Sequence, residues 1–314
     1  MLFIILASVI YAKLQSRTNR QQIVELLQQA FSINNKPYVI ALVLLMMVNW
    51  AIESLKWKLL VSNVQKVSFF TAVKAVLTGL SFSMFVPNGI GEYFGRIVYM
   101  QEGNRLRSIS VTIVGSISQI LVTIVMGFAG LLYLKGHAWQ QLLQTQGFNS
   151  FWLSGVLYMI AMTIIVVAFI YYRLSWLTKL VEKIPFVYKY RYFIQTLEIF
   201  HWKELTRILA LSTLRYAVFI VQYLLMLHIF NVQIYWLDAV CTTSVLFLVL
   251  VILPTIPVAD LGIRGETGLQ LFGVLTKNAG GIVFTAAGIW LLNIIIPAII
   301  GTLFILSIKL FRNR

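Results

Sequence analysis

Charge is what this sequence has least of. Charged residues occupy only 11% of its 314 positions and apolar residues 60%, against about 25% and about 45–50% in soluble domains. A soluble globular fold is excluded, and lipid is the solvent this chain requires. Acidic side chains are the scarcest, ten Asp and Glu against 25 Lys and Arg, for a formal charge of +15. The basic residues flank apolar blocks instead of gathering in one basic domain. That pattern excludes nucleic acid and points to membrane lipids with anionic or zwitterionic headgroups as partners. The single cysteine, Cys241, lies in an apolar run, so neither a disulfide framework nor a Cys-based metal site is available. His137, His201 and His228 are scattered, with no HExxH, and no G-x-x-x-x-G-K-[ST] occurs. No metal, cofactor or nucleotide site is therefore expected, and uphill transport would draw on an ion gradient or a partner.

What the sequence has in abundance is long apolar blocks. Tyr38 to Lys58, Ser108 to Leu134, Phe151 to Tyr172, Ile208 to Phe230 and Ile282 to Ile308 each reach the roughly 20 residues that cross about 30 Å of hydrocarbon. Leu2 to Ala12 is about half a span with no basic residue before it, unlike a signal peptide. It is read as a short first helix, either completed by neighbouring helices or lacking upstream residues. Trp50, Trp57, Trp139, Trp152, Trp176 and Trp236 fall near the ends of blocks, as an interfacial belt would.

Two further apolar regions are interrupted. Phe69 to Met100 is broken by Pro87 to Arg96, and Ala239 to Leu275 by Pro254 to Glu266. Pro87, Gly89, Gly91, Pro254, Pro257 and Gly262 mark these breaks. Unwound backbone at membrane depth is tolerated only where protein or water satisfies it. Both regions are read as re-entrant helical hairpins. The expected fold is an all-α, polytopic membrane protein of about six spans plus two such hairpins, arranged as inverted repeats. The first repeat is 38–134, the linking span 151–172, the basic loop 173–206, and the second, inverted repeat 207–310. The breaks share a local pattern, Gly89-Ile-Gly-Glu92 against Gly262-Ile-Arg-Gly-Glu266, and are expected to meet around one polar cavity. The four basic residues between Lys13 and Lys36 would then lie outside, unless the segment folds back on the membrane surface.

The breaks also hold the ionisable residues Glu92, Arg96, Asp260, Arg264 and Glu266. Charges at membrane depth cost about 2.5–3.5 kcal/mol each, so they face a cavity or one another. Glu92 and Arg96 are one helical turn apart and can pair. They can serve a charged headgroup or a proton, or simply satisfy each other and the broken backbone. Arg215 lies about two turns inside its helix and can be an anion ligand or can snorkel to the interface. Glu53 and Lys56, near a helix end, read as a solvated local pair.

Pro87 to Arg96, Glu53-Ser-Leu-Lys-Trp-Lys58, Leu214-Arg-Tyr216 and Pro257 to Glu266 together resemble the lysylphosphatidylglycerol synthase transmembrane-region family, the flippase-like domain proteins. The resemblance covers nearly the whole chain, read as the membrane domain alone, so lipid aminoacylation is not carried over. It implies movement or presentation of a polar-headed lipid or lipid-linked substrate across the cell membrane. It also implies roles for Pro87, Gly91, Glu92 and Arg96 in the first break and for Gly262 and Arg264 in the second. Gly265 separates Arg264 from Glu266, whereas the family often places the acid directly after the Arg, so Glu266 carries no assigned role. The alternatives are an enzyme or enzyme subunit acting on a lipid-linked substrate, with Glu92 or Asp260 as general base, or a non-catalytic scaffold for a partner enzyme. A homo-oligomer is compatible with each.

The loop from Arg173 to Arg207 carries seven Lys and Arg residues, whereas Asn231 to Asp238 carries none. Positive charge is retained on the cytoplasmic side. That loop and the C-terminus should both resist external thiol labelling when single cysteines are introduced there in intact cells. Labelling of either from outside reverses the orientation.

Overall fold

The computed structural model describes residues 28, 32–84, 86, 89–136, 150–173, 197, 200–253 and 257–312. Among these, every regular element is helical. In chain order they are α1 (Lys36–Val61), α2 (Phe69–Ser83), α3 (Ile90–Ile97), α4 (Arg105–Gly136), α5 (Ser150–Tyr172), α6 (Trp202–Ile229), α7 (Trp236–Ile252), α8 (Pro257–Phe272), α9 (Ala279–Trp290) and α10 (Ile296–Arg312). Five helical stretches among the described residues are long and apolar enough to cross a membrane: Ile33–Val61, Glu102–Gly136, Leu153–Tyr172, Trp202–Ile229 and Ala279–Ser307. They match the five long blocks of the sequence, and the chain is an all-α, multi-pass membrane protein. The short first block lies outside the described residues.

Local chemistry sets the helix ends. Ser68 caps α2, its hydroxyl accepting from Thr71 N–H at 3.2 Å, the usual remedy for unpaired amides in a first turn. Helix α6 stops at Asn231, which takes a left-handed φ of 52°. Val232 N–H bonds back to Leu227 O and Asn231 N–H to His228 O, a Schellman closure with Asn in place of Gly. Asn278 ties that end to the next helix. Its amide donates to Phe230 O and Asn231 O, while its carbonyl oxygen accepts from Gly281 N–H and caps α9. Between α9 and α10, Leu291–Ile295 forms a π turn. Pro297 follows one residue after it, and a widened turn relieves the clash of a proline ring with the carbonyl four residues earlier.

The helices distribute into two compact units. One, the Asp260 unit, draws on Met1–Met47, Met126–Leu157 and Val218–Ile296. In it Tyr223 stacks on Phe272 and meets Phe247 edge-on. The other, the Glu53 unit, draws on Val48–Val125, Tyr158–Ala217 and Pro297–Arg314. Its core packs Trp57, Leu60 and Val61 of α1 against Ala72, Ala75 and Val76 of α2, Val111 and Val114 of α4, and Leu205 and Ile208 of α6.

Lipid is as apolar as these side chains, so close packing and interhelical hydrogen bonds must hold the helices together. Within the Glu53 unit they are short: Ser118 to Ser212 at 2.7 Å, Tyr171 OH to Leu205 O at 2.7 Å, and Ser81 Oγ to Ala298 O at 2.6 Å. Trp57, expected at the interface, is instead fully buried and donates to Thr112 Oγ1 at 3.1 Å. An indole so placed exchanges a headgroup partner for a hydroxyl one helix away.

Helices α2 and α3 form an antiparallel hairpin of backbone on backbone. A Cβ on Gly91 would overlap Phe82 and Ser83, one on Gly95 would overlap Thr78 and Gly79, and one on Gly79 would lie 2.9 Å from Glu92 O. Gly91 and Gly95 are thus a small-xxx-small seam. Gly89, at φ 68°, supplies the left-handed residue that starts α3, a conformation glycine adopts without strain.

Gly95→Ala should lower unfolding stability in detergent by about 1–3 kcal/mol through overpacking. Gly155→Ala, which meets open space, should instead stabilise slightly, by about 0.5–1 kcal/mol, through helix propensity. Comparing the two unfolding midpoints isolates the contact, and equal shifts would refute it.

Candidate functional site

The polar centre of the Glu53 unit begins on one face of α1. Asn49, Glu53 and Lys56 follow one another at spacings of four and three, so helical geometry places all three on one stripe. Glu53 is 7% exposed by side chain and Lys56 2%, at 2.7 Å from Nζ to Oε2. The pair expected to be solvated is therefore buried. Two more cations reach the same carboxylate. Arg96 of α3 donates from Nη2 to Glu53 Oε1 at 2.9 Å, and Arg215 of α6 from Nη1 to Oε2 at 2.8 Å. Arg215 also donates from Nε to Asn49 Oδ1 at 2.8 Å. It is anchored inside the unit, so the snorkelling alternative is set aside. A hydrogen-bonded carboxylate holds the guanidinium more firmly than a longer reach to the interface.

Arg96 bridges two acids. Its Nη2 also donates to Glu92 Oε2 at 2.6 Å, the pairing that helical spacing allows. The guanidinium is 4% exposed, whereas Glu92 is 31% exposed. The glycine seam makes room for it, since a Cβ on Gly79 would sit 3.4 Å from Arg96 Cγ. Among the described residues, the buried Arg96 Nε meets no hydrogen-bond partner. Three cations, Lys56, Arg96 and Arg215, thus meet two carboxylates, Glu53 and Glu92, among the described residues, with one positive charge in surplus. The cluster opens at Glu92 and at Arg215, whose side chain is 20% exposed.

The Asp260 unit carries a simpler arrangement. Arg264 donates from Nη2 and Nε to Asp260 Oδ2 at 2.9 and 3.3 Å, all on α8. This pair is mostly buried and self-neutralising. Helix α8 begins at Pro257, the first-turn position that suits proline. Gly262, Arg264 and Glu266 therefore stand within a continuous helix instead of an unwound stretch, and Glu266 is half-buried two residues beyond Arg264. In the first break, likewise, α3 begins at Ile90, so Gly91, Glu92 and Arg96 are helical. Pro87 and Pro254 lie outside the described residues.

Glu53, Lys56 and Asn49 are the members that the sequence reading left out. Their signal was present as a polar stripe in a block whose one other charge is Lys58 at its end. The profile of the lysylphosphatidylglycerol synthase TM region matches residues 2–310. The chain belongs to that family. No curated protein and no solved structure matches it. The match to this family spans both units, and with them both acid–base groups.

Removing the hub should be costly, because it strands three cations with one remaining carboxylate. Glu53→Ala should lose about 3–5 kcal/mol of unfolding stability, the range for breaking a buried ion pair. Glu102→Gln, which removes an exposed acid 3.8 Å from Arg105, should leave the unfolding curve unchanged. Chemical denaturation of both variants in detergent checks the contrast, and a stable Glu53→Ala protein would contradict the hub.

Proposed function

We propose that this family member is a flippase-like transporter of the cell membrane, moving a polar-headed lipid whose anionic phosphate pairs with the Glu53 cluster. The leftover positive charge carries the reading. In low dielectric an unbalanced charge is expensive, and a phosphate monoanion balances it. The unpartnered Arg96 Nε offers such an anion a donor, since guanidinium recognises phosphate through several N–H groups at once. Glu92 and Arg215, the more exposed members, form the entrance.

The re-entrant reading of the two hairpins belongs to the same proposal. Helix α2 has 15 residues and α3 has 8, fewer than a crossing requires, and α7 with 17 and α8 with 16 are also short. Two such hairpins in inverted repeats, with a cytoplasmic C-terminus, would give alternating access in the manner of other transporters built on broken helices.

The test uses purified protein in vesicles of phosphatidylglycerol and phosphatidylcholine carrying a trace of headgroup-labelled phosphatidylglycerol. Arg96→Ala should abolish translocation and Glu92→Gln should slow it, with melting temperature measured on the same preparations. A well-folded Arg96→Ala protein that moves lipid at the wild-type rate would overturn the proposal.

A further inference from the structure

We propose that Lys56 is a proton-binding site whose occupancy is coupled to that of the Glu53 cluster by an anionic headgroup. The inference rests on the anion reading above and supplies what it lacks, an account of how the empty site is neutralised.

The argument starts from which charge can be shed. Guanidinium groups stay protonated in proteins, so Arg96 and Arg215 are permanently cationic. Lys56 is the one cation of the three able to give up its proton. It is also among the largest fully buried side chains of the unit. The charges acting on it are Glu53 of its own helix, Arg215 of α6 and Arg96 of α3, with Glu92 bound to Arg96 on the far side. Helix α4 faces its stem with Gly115, where a Cβ would stand 3.7 Å from Lys56 Cε, and with Thr112 bound to Trp57. Neither is titratable.

With Lys56 neutral, two guanidinium groups balance two carboxylates and the empty cluster carries no net charge. With Lys56 protonated, one positive charge awaits a phosphate monoanion. The neutral amine keeps a hydrogen bond to Glu53 by donating one N–H, so proton loss leaves no orphaned carboxylate oxygen. The proton comes from water and returns to it, and no bond other than N–H forms or breaks. Binding of the anion and binding of the proton then favour each other, by equal and reciprocal coupling.

The sign follows directly. Where Lys56 is neutral in the empty site, each headgroup bound takes up about one proton, and affinity falls about tenfold per pH unit as pH rises. Across a membrane the same coupling makes an inward proton gradient a source of work for lipid movement.

The measurement is calorimetric titration of the full chain in detergent with short-chain phosphatidylglycerol, in two buffers of different ionisation heat, from about pH 6 to about pH 9. The difference between the buffers gives the protons exchanged per lipid. A parallel arm uses glycerophosphoglycerol, the phosphodiester headgroup without tails, which exchanges no proton of its own over this range. Uptake with either ligand supports the coupling, and a preference for the first identifies lipid as the source.

Wild-type protein should take up approaching one proton per ligand at the alkaline end. Lys56→Arg, which keeps the surplus charge at every pH, should bind with no uptake and no pH slope, and Lys56→Gln, which removes that charge, should bind weakly throughout. Absence of binding at every pH overturns the anion reading and this inference together. Wild-type binding without proton exchange overturns this inference alone. Uptake that persists in Lys56→Arg assigns the proton to another group and likewise overturns it.

Discussion

A carboxylate taken out of water must find its solvation inside the protein, and Glu53 finds it in three cations delivered by three helices. Each ion of that group carries a desolvation cost of several kcal/mol that only close, multiple hydrogen bonds offset. Much of the surrounding construction serves that need. Helix α1 carries Glu53 and Lys56 on one stripe, α6 brings Arg215 to within 2.8 Å, and the α2–α3 hairpin delivers Arg96. The hairpin can approach so closely because Gly79, Gly91 and Gly95 bring no side chain of their own between its two backbones. The hydroxyl bridges of Ser118 to Ser212 and Ser81 to Ala298 hold the neighbouring helices where the cluster needs them.

Two buried acid–base groups among the described residues look alike in sequence and differ in chemistry. Asp260 and Arg264 form a closed pair on one helix, with both contacts going to the same carboxylate oxygen. Such a pair is complete without further ions. Glu92 and Arg96 have the same spacing, yet Arg96 is shared with Glu53 and the group ends with a charge in surplus. The local pattern Gly-Ile-Gly-Glu against Gly-Ile-Arg-Gly-Glu therefore conveys a common backbone need more than a common task. Family membership, which covers both, is compatible with one polar group that engages a ligand and another that secures a fold.

The five long helices and membrane residence were legible in the sequence because they depend on local sums. Twenty apolar residues in a row admit few structures in lipid, and α1, α4, α5 and α6 begin and end within a few residues of the apolar blocks. The Glu92–Arg96 pair was legible for the same reason, being one turn of one helix. The hub was not. Glu53 and Lys56, three apart and near a helix end, have the spacing of a solvated surface pair. Only the arrival of Arg96 and Arg215, 43 and 162 positions away, makes them a buried network. Trp57 misled in the same way, since proximity to a helix end resembles an interfacial anchor until Thr112 of another helix is seen to accept its N–H. The second break was drawn too long. Gly262 and Gly265 suggest unwinding in water, but in an apolar medium the helix satisfies its own backbone and continues through them.

The glycine seam of the α2–α3 hairpin bears on how this unit can move. Interfaces built from side chains can slide by switching rotamers, and most helix pairs accommodate small shifts in that way. Where Gly91 and Gly95 meet Phe82, Thr78 and Gly79 there are no rotamers to switch, and the two helices are locked in register as one stiff lever. Arg96 stands on that lever, which starts at Gly89 and is tied through Ser81 to the carbonyl of Ala298 on α10.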